Sequence, residues 1–346
     1  MKNLSAQSSV TVLGIDLAKS SFQLHGVDAV GNTVIKNKLS RNKLVQFIAQ
    51  LPPCLIGIEA CGGANHWVRV FERFGHTVKM MAPQFVKPYV KSNKSDAADA
   101  EAICEAVQRP SMRFVPAKSL EQQDLQSLHR IRSQAVARRT AQANQIRGLL
   151  MEYGLVLPQG ITHIRKSIPS ILEDAENELT VLFRELLAEL YREMVHLDSR
   201  IQMLETKLEA ICAQNQDCQR LLSIPGVGLL SATALVAAIG DINVFKSGRE
   251  LAAWLGLVPR QHSTGGKPTL LGISKRGDTY LRTLLIHGGR TVVRLAEKHE
   301  DKRSRWVSKL DARRGKNISA VAVANKNARV AWALLKSGSV YQTQAA

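Results

Sequence analysis

Apolar residues in the first hundred positions fall into short runs that favour strands, separated by turn residues. Three such runs follow one another at Val10–Asp16, Ser21–Val27 and Asn32–Lys38, joined by glycine-containing connections. Beyond them, helical and strand patterns alternate, in the order helix Asn42–Gln50, strand Leu55–Glu59, helix Asn65–Phe74, strand Thr77–Met81 and a helix after Pro83. The pattern therefore predicts an α/β domain over residues 1–110.

Four acidic residues stand at special positions in this pattern. Asp16 closes the first strand, Glu59 closes the fourth, and Asp96 and Asp99 are three residues apart on one face of the following helix. This element order, with acids at these places, is that of the RNase H fold. Converged carboxylates repel one another unless a hard cation neutralises them. The sequence thus predicts phosphate chemistry with Mg²⁺ or Mn²⁺, as two ions about 4 Å apart.

Residues 111–219 read as two long helices separated near Pro158 and Gly160. The first, Leu120–Tyr153, is polar with a weak apolar stripe. The second carries a full heptad seam, formed by Leu187, Leu190, Met194, Leu197, Ile201, Leu204, Leu208 and Ile211. Such a stripe either packs within the monomer or pairs with a second chain. We favour the second interpretation and expect a coiled-coil homo-oligomer, a dimer or tetramer.

Residues 220–346 are predicted to be mainly helical and hold two candidate phosphate-binding features. Gly226 and Gly228 lie in a Pro-Gly-x-Gly turn that resembles the helix-hairpin-helix signature, with a tight packing turn as the alternative. The stretch Lys302–Lys316 holds seven basic residues around Trp306 and is either a solvated face or a nucleic-acid contact. We favour contact and select four candidates there: Arg303, Arg305, Arg313 and Arg314.

Charge supports a polyanionic partner. The 346-residue chain has a formal net charge of +18, and 45% of its residues are hydrophobic, as expected of a globular protein. Residues 1–110 contribute +5, residues 111–219 contribute −1 and residues 220–346 contribute +14. The C-terminal third is therefore the expected main phosphate-binding surface, and nucleic acid the expected partner.

Cysteine usage and hydropathy point to the cytoplasm. The five cysteines are an odd number without tight pairing, which is typical of reduced thiols, and no zinc-ligand spacing occurs. Residues 1–9 lack the apolar core of a signal peptide, and no apolar run approaches membrane-spanning length. We expect no membrane partner.

Six motifs recur in an order that resembles a known family. They read Gly14-Ile15-Asp16-Leu17-Ala18-Lys19, Ile58-Glu59-Ala60-Cys61-Gly62-Gly63, Lys94-Ser95-Asp96-Ala97-Ala98-Asp99-Ala100, Ile224-Pro225-Gly226-Val227-Gly228, Leu255-Gly256-Leu257-Val258-Pro259-Arg260 and Gly272-Ile273-Ser274-Lys275-Arg276-Gly277. Together they resemble the DEDD transposases of bacterial insertion sequences, which are mobilised with a structured bridge or seeker RNA. The resemblance spans nearly the whole chain.

The resemblance implies three regions: a RuvC-like, that is RNase H-like, nuclease domain at 1–110, a helical coiled coil at 111–219, and a C-terminal transposase domain at 220–346. It implies that Asp16, Glu59, Asp96 and Asp99 form the catalytic acidic quartet that holds the metal ions. It also implies a guide RNA, and DNA strand exchange through a phosphoserine intermediate.

The family's nucleophilic serine falls in a polar, glycine-rich loop, Gln261–Gly272. Counting back from Ser274 places it at Ser263, whereas counting forward from Pro259 places it at Thr264. We select Ser263, because the forward count requires the residue type to change. His262 is a candidate base, with an incidental loop histidine as the alternative. Candidates to neutralise phosphates are Lys275, Arg276 and Arg282 near the serine and Lys94 beside the acids, with a solvated surface role as the alternative for each.

Two other functions stay open at this stage. A metal-dependent resolvase of the Holliday-junction type would keep the quartet but hydrolyse DNA with water and need no serine. A non-catalytic nucleic-acid-binding scaffold would be built on a decayed nuclease fold. The complete quartet argues against a decayed fold, and a covalent protein–DNA adduct would separate the recombinase from the resolvase.

Overall fold

A computed structural model describes residues 9–91 and 95–342, and its chain divides into two compact units after Ser119. The first unit contains the sheet. The second contains the long helices together with the C-terminal region. The three-part division drawn from the sequence stays a prediction. Each unit is described by itself.

The first unit is built on a six-stranded sheet in the order β3-β2-β1-β4-β5-β6. The strands are β1 Val12–Asp16, β2 Ser21–Val27, β3 Thr33–Ser40, β4 Leu55–Glu59, β5 Thr77–Met81 and β6 Phe114–Val115. β1, β4 and β5 run parallel, while β2, β3 and β6 pair antiparallel with their neighbours. The predicted α/β fold is confirmed, and the short edge strand β6 extends the sheet beyond residue 110.

Helices cover both faces of this sheet. They are α1 Arg41–Ala49, α2 Ala64–Arg73, the single turn α3 Pro83–Val86, a 3₁₀ turn Lys87–Tyr89 and α4 Asp96–Val107. Apolar side chains of α1 and α2 pack on one face, where Phe22, Trp67 and Phe71 form a buried aromatic cluster. α4 packs on the other face through Ile103 and Val107. Alternation along each strand sends successive side chains to opposite cores.

A long antiparallel helix pair opens the second unit. It consists of α5 Leu120–Met151 and α7 Val181–Gln214, with α6 Ile161–Glu173 between them in sequence. Sequence patterning did not separate α6 from the connection. Three polar contacts fix the register of the pair, namely Arg132 to Glu205 at 2.5 Å, Arg139 to Asp198 at 2.8 Å and Gln142 to Glu193 at 2.7 Å. Their residue numbers run in opposite directions, as an antiparallel pair requires.

The heptad seam of α7 is covered inside the chain. Leu187, Met194 and Leu208 are fully buried, and they pack with apolar residues of α5 and α6 near the connection and with α9 at the other end. Packing within the monomer, the alternative interpretation of the seam, therefore accounts for it. The predicted homo-oligomer can no longer rest on this stripe.

The remaining elements pack around α13 and α11. They are α8 Gln216–Leu222, α9 Leu229–Ile239, a 3₁₀ turn Ile242–Val244, α10 Gly248–Trp254, β7 Pro259–Thr264, β8 Lys267–Ile273, α11 Thr279–Leu295, a 3₁₀ turn Ala296–Lys298, α12 Lys302–Arg314 and α13 Lys316–Ser337. α11 and α13 cross closely at Gly289 of α11. A Cβ atom on this glycine would lie only 2.3 Å from the carbonyl oxygen of Ala320 in α13. None of the described helices combines the length and the apolar composition needed to cross a membrane.

Candidate active site and nucleic-acid surface

Asp16 and Glu59 end two neighbouring parallel strands. β1 and β4 are paired in register up to Ile15 and Ile58, so the two acids follow as the next pair at the same edge of the sheet. Both are half-buried. Side chains alternate along a strand, and each acid shares its face with the glycine two residues earlier, Gly14 or Gly57. The two carboxylates therefore point to the same face.

α4 covers that face and brings the other two acids to it. A Cβ atom on Gly14 would lie 2.4 Å from the backbone nitrogen of Cys104, so the helix passes directly over β1. Ser95 caps the helix by accepting a hydrogen bond from the Ala98 N–H at 3.2 Å. Asp96 and Asp99 occupy the first turn, where the helix dipole favours acids. Asp99 is half-buried and Asp96 exposed. The candidate Lys94 lies outside the described residues.

Cys61 lies near the ends of β1 and β4, and its pKa is sensitive to the charge of the acids there. The sequence pattern did not identify it as a site residue. Burial raises the pKa of its thiol, and the Glu59 and Asp16 carboxylates raise that pKa further. Both acids therefore lie close enough to Cys61 to oppose a further negative charge. Its position two residues after a strand-ending acid is a signal that could have identified it. The edge carries a negative potential that suits a cation.

The donor set is chemically suited to a hard divalent cation, since all four candidate ligands are carboxylates. Across residues 9–91 and 95–342, however, no three His, Cys, Asp or Glu side chains are gathered closely enough to hold a metal ion. The structure therefore places the acids on one face at one end of the sheet, without gathering them into a coordination shell.

The segment predicted as a glycine-rich loop is a two-stranded hairpin. β7 and β8 pair antiparallel, and Gly265 and Gly266 form the turn with φ of 55° and 76°. Two consecutive positive φ angles are typical of a type I′ hairpin turn, which glycine adopts without strain. The correction follows from turn chemistry, because the Gly-Gly pair closes a hairpin where composition alone suggested an irregular loop.

Ser263 and Thr264 lie side by side on β7 near the turn, and both are exposed. Gln261 donates a hydrogen bond from Nε2 to the Ser263 Oγ at 2.8 Å, which fits two side chains on the same face of the strand. By the same alternation, Thr264 and His262 point to the opposite face. The two candidate nucleophiles are therefore presented in opposite directions. The placement of His262 makes it a poor base for Ser263.

Lys275 and Arg276 are exposed at the base of the hairpin. The backbone here crosses the end of α10 tightly, since a Cβ atom on Gly256 would lie 2.0 Å from the Arg276 carbonyl oxygen. Within the described chain, Lys275 is the single non-glycine residue with positive φ, at 54°. A lysine held in the left-handed region costs on the order of 1 kcal/mol. Strained positions of this kind cluster at functional sites, so Lys275 stays a candidate phosphate contact.

Two predicted phosphate contacts, Arg282 and Arg303, are instead buried, with 8% and 7% of their surfaces exposed. Arg282 donates to the Thr279 Oγ1 at 3.0 Å. Arg303 donates to the Pro225 carbonyl oxygen at 3.3 Å and to the side chain of Asn327. These contacts hold both side chains inside the protein, and we omit them from the nucleic-acid surface. Sequence could not distinguish them from exposed neighbours in the same basic stretch.

The Pro-Gly-x-Gly turn has one packed glycine and one exposed glycine. Gly226 has φ of 85°, and a Cβ atom there would lie 2.7 Å from the Gly288 carbonyl oxygen, so this residue makes the tight packing turn. Gly228 is exposed and precedes α9, and no side chain caps that helix. Gly228 thus keeps the geometry of a backbone phosphate contact, whereas Gly226 supports the turn.

The remaining basic candidates, Arg305, Arg313 and Arg314, are exposed on α12. Trp306 lies half-buried among them, with the Lys326 ammonium 4.3 Å from its ring centroid. This cation–π pair engages Lys326, while the three arginines stay exposed. The structure thus places the four acids at one end of the sheet in the first unit. In the second unit, Ser263 lies near the turn of the hairpin, whereas Lys275 and Arg276 follow its last strand.

Comparison with known proteins agrees with this arrangement. Residues 13–155 match the DEDD transposase model of the IS110 type, and residues 218–304 match the model of the IS116/IS110/IS902 transposase family. The chain is 52% identical to a probable family 20 transposase of Pseudomonas aeruginosa, over 95% of this chain and 98% of that protein. It is 47% identical to the transposase for insertion sequence element IS1111A of Coxiella burnetii, over 99% and 94% of the two chains. With the transposase for insertion sequence element IS1328 of Yersinia enterocolitica it shares 42% identity over 96% and 99%.

Proposed function

Because the chain belongs to the IS116/IS110/IS902 family of insertion-sequence transposases, we propose that it cuts and rejoins DNA through Ser263, assisted by the acidic quartet. The observation that carries this proposal is the pairing of Asp16 and Glu59 at the ends of neighbouring parallel strands, facing the helix of Asp96 and Asp99. No packing requirement explains four acids on one face. A phosphate-processing site does.

The quartet would hold Mg²⁺ or Mn²⁺, two ions in our proposal. Carboxylate oxygens are the donors these cations prefer, and the raised pKa of Cys61 reports negative charge at Asp16 and Glu59. Bound there, the cations would neutralise the acids and polarise the scissile phosphate. The protein's part is to present Asp16 and Glu59 on rigid strands and Asp96 and Asp99 on the first turn of α4.

Ser263 would act as the nucleophile. Its Oγ attacks phosphorus and loses its proton, and the DNA oxygen on the far side departs as a hydroxyl. The product is a phosphoserine ester, so phosphodiester energy is retained. A second DNA hydroxyl can then attack the ester, form the new strand and release the serine. Exchange of this kind consumes no ATP and no water.

Ser263 and the quartet belong to different units of the fold. The proposed reaction therefore requires the units of one chain, or of two chains, to meet on the DNA. A homo-oligomeric complex, in which two chains share the site, is part of the proposal, and the exposed hairpin fits a nucleophile that approaches from outside the sheet unit.

Target choice through a structured guide RNA is part of the proposal. Its support is the family resemblance and the kind of surface present: Gly228, Lys275, Arg276, Arg305, Arg313 and Arg314 offer backbone amides and point charges. Such groups contact phosphates and carry no base sequence by themselves. Sequencing of the RNA that copurifies with the protein tests this part. Recovery of one structured RNA species supports it, and RNA-independent site-specific exchange contradicts it.

Paired substitutions test the catalytic roles. Asp16→Asn and Glu59→Gln keep the size of each side chain but remove its charge, and we expect each to abolish DNA strand cleavage. Glu101→Gln is the matched control, because Glu101 is exposed on α4 outside the quartet. Wild-type cleavage by Asp16→Asn would contradict the proposed role of the quartet.

A further inference from the structure

The second unit contains a groove that borders the serine hairpin. It has a volume of about 1540 Å³ and lies between α12, α13, the start of α10 and the hairpin strand β8. Pockets for small molecules measure about 300–1,000 Å³, so this groove is larger than a small ligand requires. Its lining on α13 runs from Asn317 to Ala333, a length of about 24 Å at the α-helical rise. The groove therefore suits a segment of an extended polymer.

Two tryptophans, Trp306 of α12 and Trp332 of α13, lie in the lining, and both are half-buried. Trp332 donates a hydrogen bond from Nε1 to the Phe245 carbonyl oxygen at 2.9 Å, which fixes the orientation of its ring. Lys326, whose ammonium lies 4.3 Å from the Trp306 ring centroid, precedes Trp332 by six residues, or about 9 Å along the helix. The groove thus offers two aromatic rings along its length, and the bases of a single nucleic-acid strand stack on such rings.

The charge of the lining has a single sign. Four cationic residues contribute to it, namely Arg249, Arg314, Lys326 and Arg329, and the described lining holds no aspartate or glutamate. Burial lowers the pKa of the Lys326 ammonium, and the charges of Arg303 and Arg329 lower that pKa further. The potential in the groove is therefore positive and favours an anion. A nucleic-acid strand supplies one negative charge about every 3.4 Å.

The groove continues into the face of the hairpin that carries Ser263. β8 lines the groove from Leu270 to Ile273. Leu270 lies directly opposite Gln261 of β7, and opposed residues of an antiparallel pair project from the same face. Gln261 and Ser263 share that face and are joined by a hydrogen bond. Ser263 lies two residues further along β7, about 7 Å. A strand that leaves the groove along this face therefore passes the serine hydroxyl.

These features favour one DNA strand over other occupants of the groove. A duplex keeps its bases stacked inside the double helix, so it cannot use the two tryptophan rings. An acidic protein segment would match the positive charge, but it would have no reason to lie beside Ser263. The reaction that we propose requires a DNA strand at that serine, and the groove matches such a strand in charge, length and ring surface.

We propose that the groove holds unpaired bases of the DNA strand whose phosphate Ser263 attacks. The bases stack on Trp306 and Trp332, and the phosphates contact the cationic residues of the lining. This inference rests on the proposed function for the identity of the strand, and it adds that the strand is separated from its complement at the serine. Unstacking bases from a duplex costs free energy, and stacking on protein rings offsets that cost.

Oligonucleotide binding to the full chain, without metal ions, tests the proposal. The probes are single-stranded oligo(dT), an abasic strand of the same length, and the duplex of oligo(dT) with oligo(dA). Trp306→Leu and Trp332→Leu each remove a ring but no charge, so we expect each to weaken oligo(dT) binding on the order of tenfold. Affinity for the abasic strand and for the duplex should not change. Arg329→Gln removes a charge and should weaken binding of oligo(dT) and of the abasic strand alike.

Trp254→Leu is the matched control, because Trp254 is 39% exposed on α10 and lies outside the groove lining. Its affinity for oligo(dT) should equal that of the wild type. Trp306→Phe and Trp332→Phe keep an aromatic ring and should retain most of the affinity. These conservative variants separate loss of stacking from loss of folding, since a folding defect would also weaken binding of the abasic strand.

Unchanged oligo(dT) affinity in both leucine variants, equal losses for oligo(dT) and the abasic strand, or phenylalanine variants as weak as the leucine variants would overturn the proposal. A loss confined to oligo(rU) would also overturn it and assign the groove to RNA. A change in molecular mass without a change in oligonucleotide affinity would overturn it in favour of a protein partner. Ser263→Ala should bind oligo(dT) like the wild type, so failure of the serine mechanism is measured separately from failure of the groove.

Discussion

Gly14 of β1 and Ala100 of α4 lie so close that a Cβ atom on the glycine would come within 2.3 Å of the Ala100 carbonyl oxygen. This contact sets the height of α4 above the strand that ends in Asp16. The first turn of the same helix carries Asp96 and Asp99. The glycine therefore controls the separation between the two halves of the quartet.

We predict that Gly14→Ala impairs both folding and catalysis. The added methyl group meets backbone atoms that cannot rotate away, so α4 must shift, at a cost of about 1–3 kcal/mol of unfolding free energy. Urea unfolding and DNA cleavage measure the two effects. Gly148→Ala is the control, because Gly148 is exposed in α5 with open space around it. It should raise stability by up to about 1 kcal/mol and leave cleavage unchanged.

Leu187→Ala tests the assignment of the heptad seam. Leu187 is completely buried within the second unit, so its truncation should lower the unfolding free energy by about 2–5 kcal/mol. Native oligomeric state, measured by light scattering, should not change. Dissociation of an oligomer with little loss of protomer stability would show instead that the seam joins two chains.

His129 gives the second unit a defined sensitivity to acid. It is buried between Tyr280 and Thr233, with ring nitrogens 3.0 Å from each hydroxyl. Burial lowers its pKa to about 4, and the nearby Arg132 contributes. Because the pKa of His129 is lower in the folded protein than in the unfolded chain, where it is about 6.5, the proton binds more tightly to the unfolded chain. Neutral His129 therefore stabilises the fold above pH 6.5, and this contribution to the unfolding free energy is lost as the pH falls from 6.5 to 4. The loss is on the order of 3 kcal/mol.

The variant His129→Gln isolates this effect. At pH 7.5 we expect it to be less stable than the wild type, because both hydroxyl contacts are weakened. The difference in unfolding free energy should shrink towards pH 4.5, since glutamine does not titrate. A difference that stays constant between these pH values would contradict the assigned cause.

We predict that the arginines of the basic stretch Lys302–Lys316 serve two purposes, with Arg303 stabilising the fold and Arg314 binding nucleic acid. Arg303→Met removes a buried donor to Pro225 and Asn327 and should cost about 2 kcal/mol of unfolding free energy. Arg314→Gln should leave stability unchanged but weaken nucleic-acid binding. The slope of log affinity against log salt should fall by about 1 if Arg314 neutralises one phosphate. Equal effects of both changes on binding, without destabilisation, would contradict the assignment.

Periodicity predicted the sheet unit well because each strand and helix there faces a defined core. The alternation that buries Leu13 and Ile15 also fixes the direction of Asp16. The glycine pair at Gly265 and Gly266 was read as a loop, although two positive φ angles close a hairpin. Composition cannot separate an exposed hairpin from a polar loop when neither has a buried face.

Burial that depends on contacts between distant segments of the chain could not be predicted from the sequence. Arg303 and Arg313 share one basic helix, and only the fold shows that Arg303 lies beneath the Pro225 turn while Arg313 is exposed. Likewise, a heptad seam specifies an apolar partner helix without specifying its chain. The acids could be selected because their positions depend on local strand ends. The arginines could not, because their burial depends on distant segments.

The central claim is that Ser263 becomes covalently joined to DNA. The direct measurement is peptide mass spectrometry of the protein after reaction with a DNA substrate, comparing the wild type with Ser263→Ala and Thr264→Val. The account predicts a nucleotide adduct on Ser263 in the wild type and in Thr264→Val, and none in Ser263→Ala. Strand exchange by Ser263→Ala, or an adduct on Thr264, would contradict it.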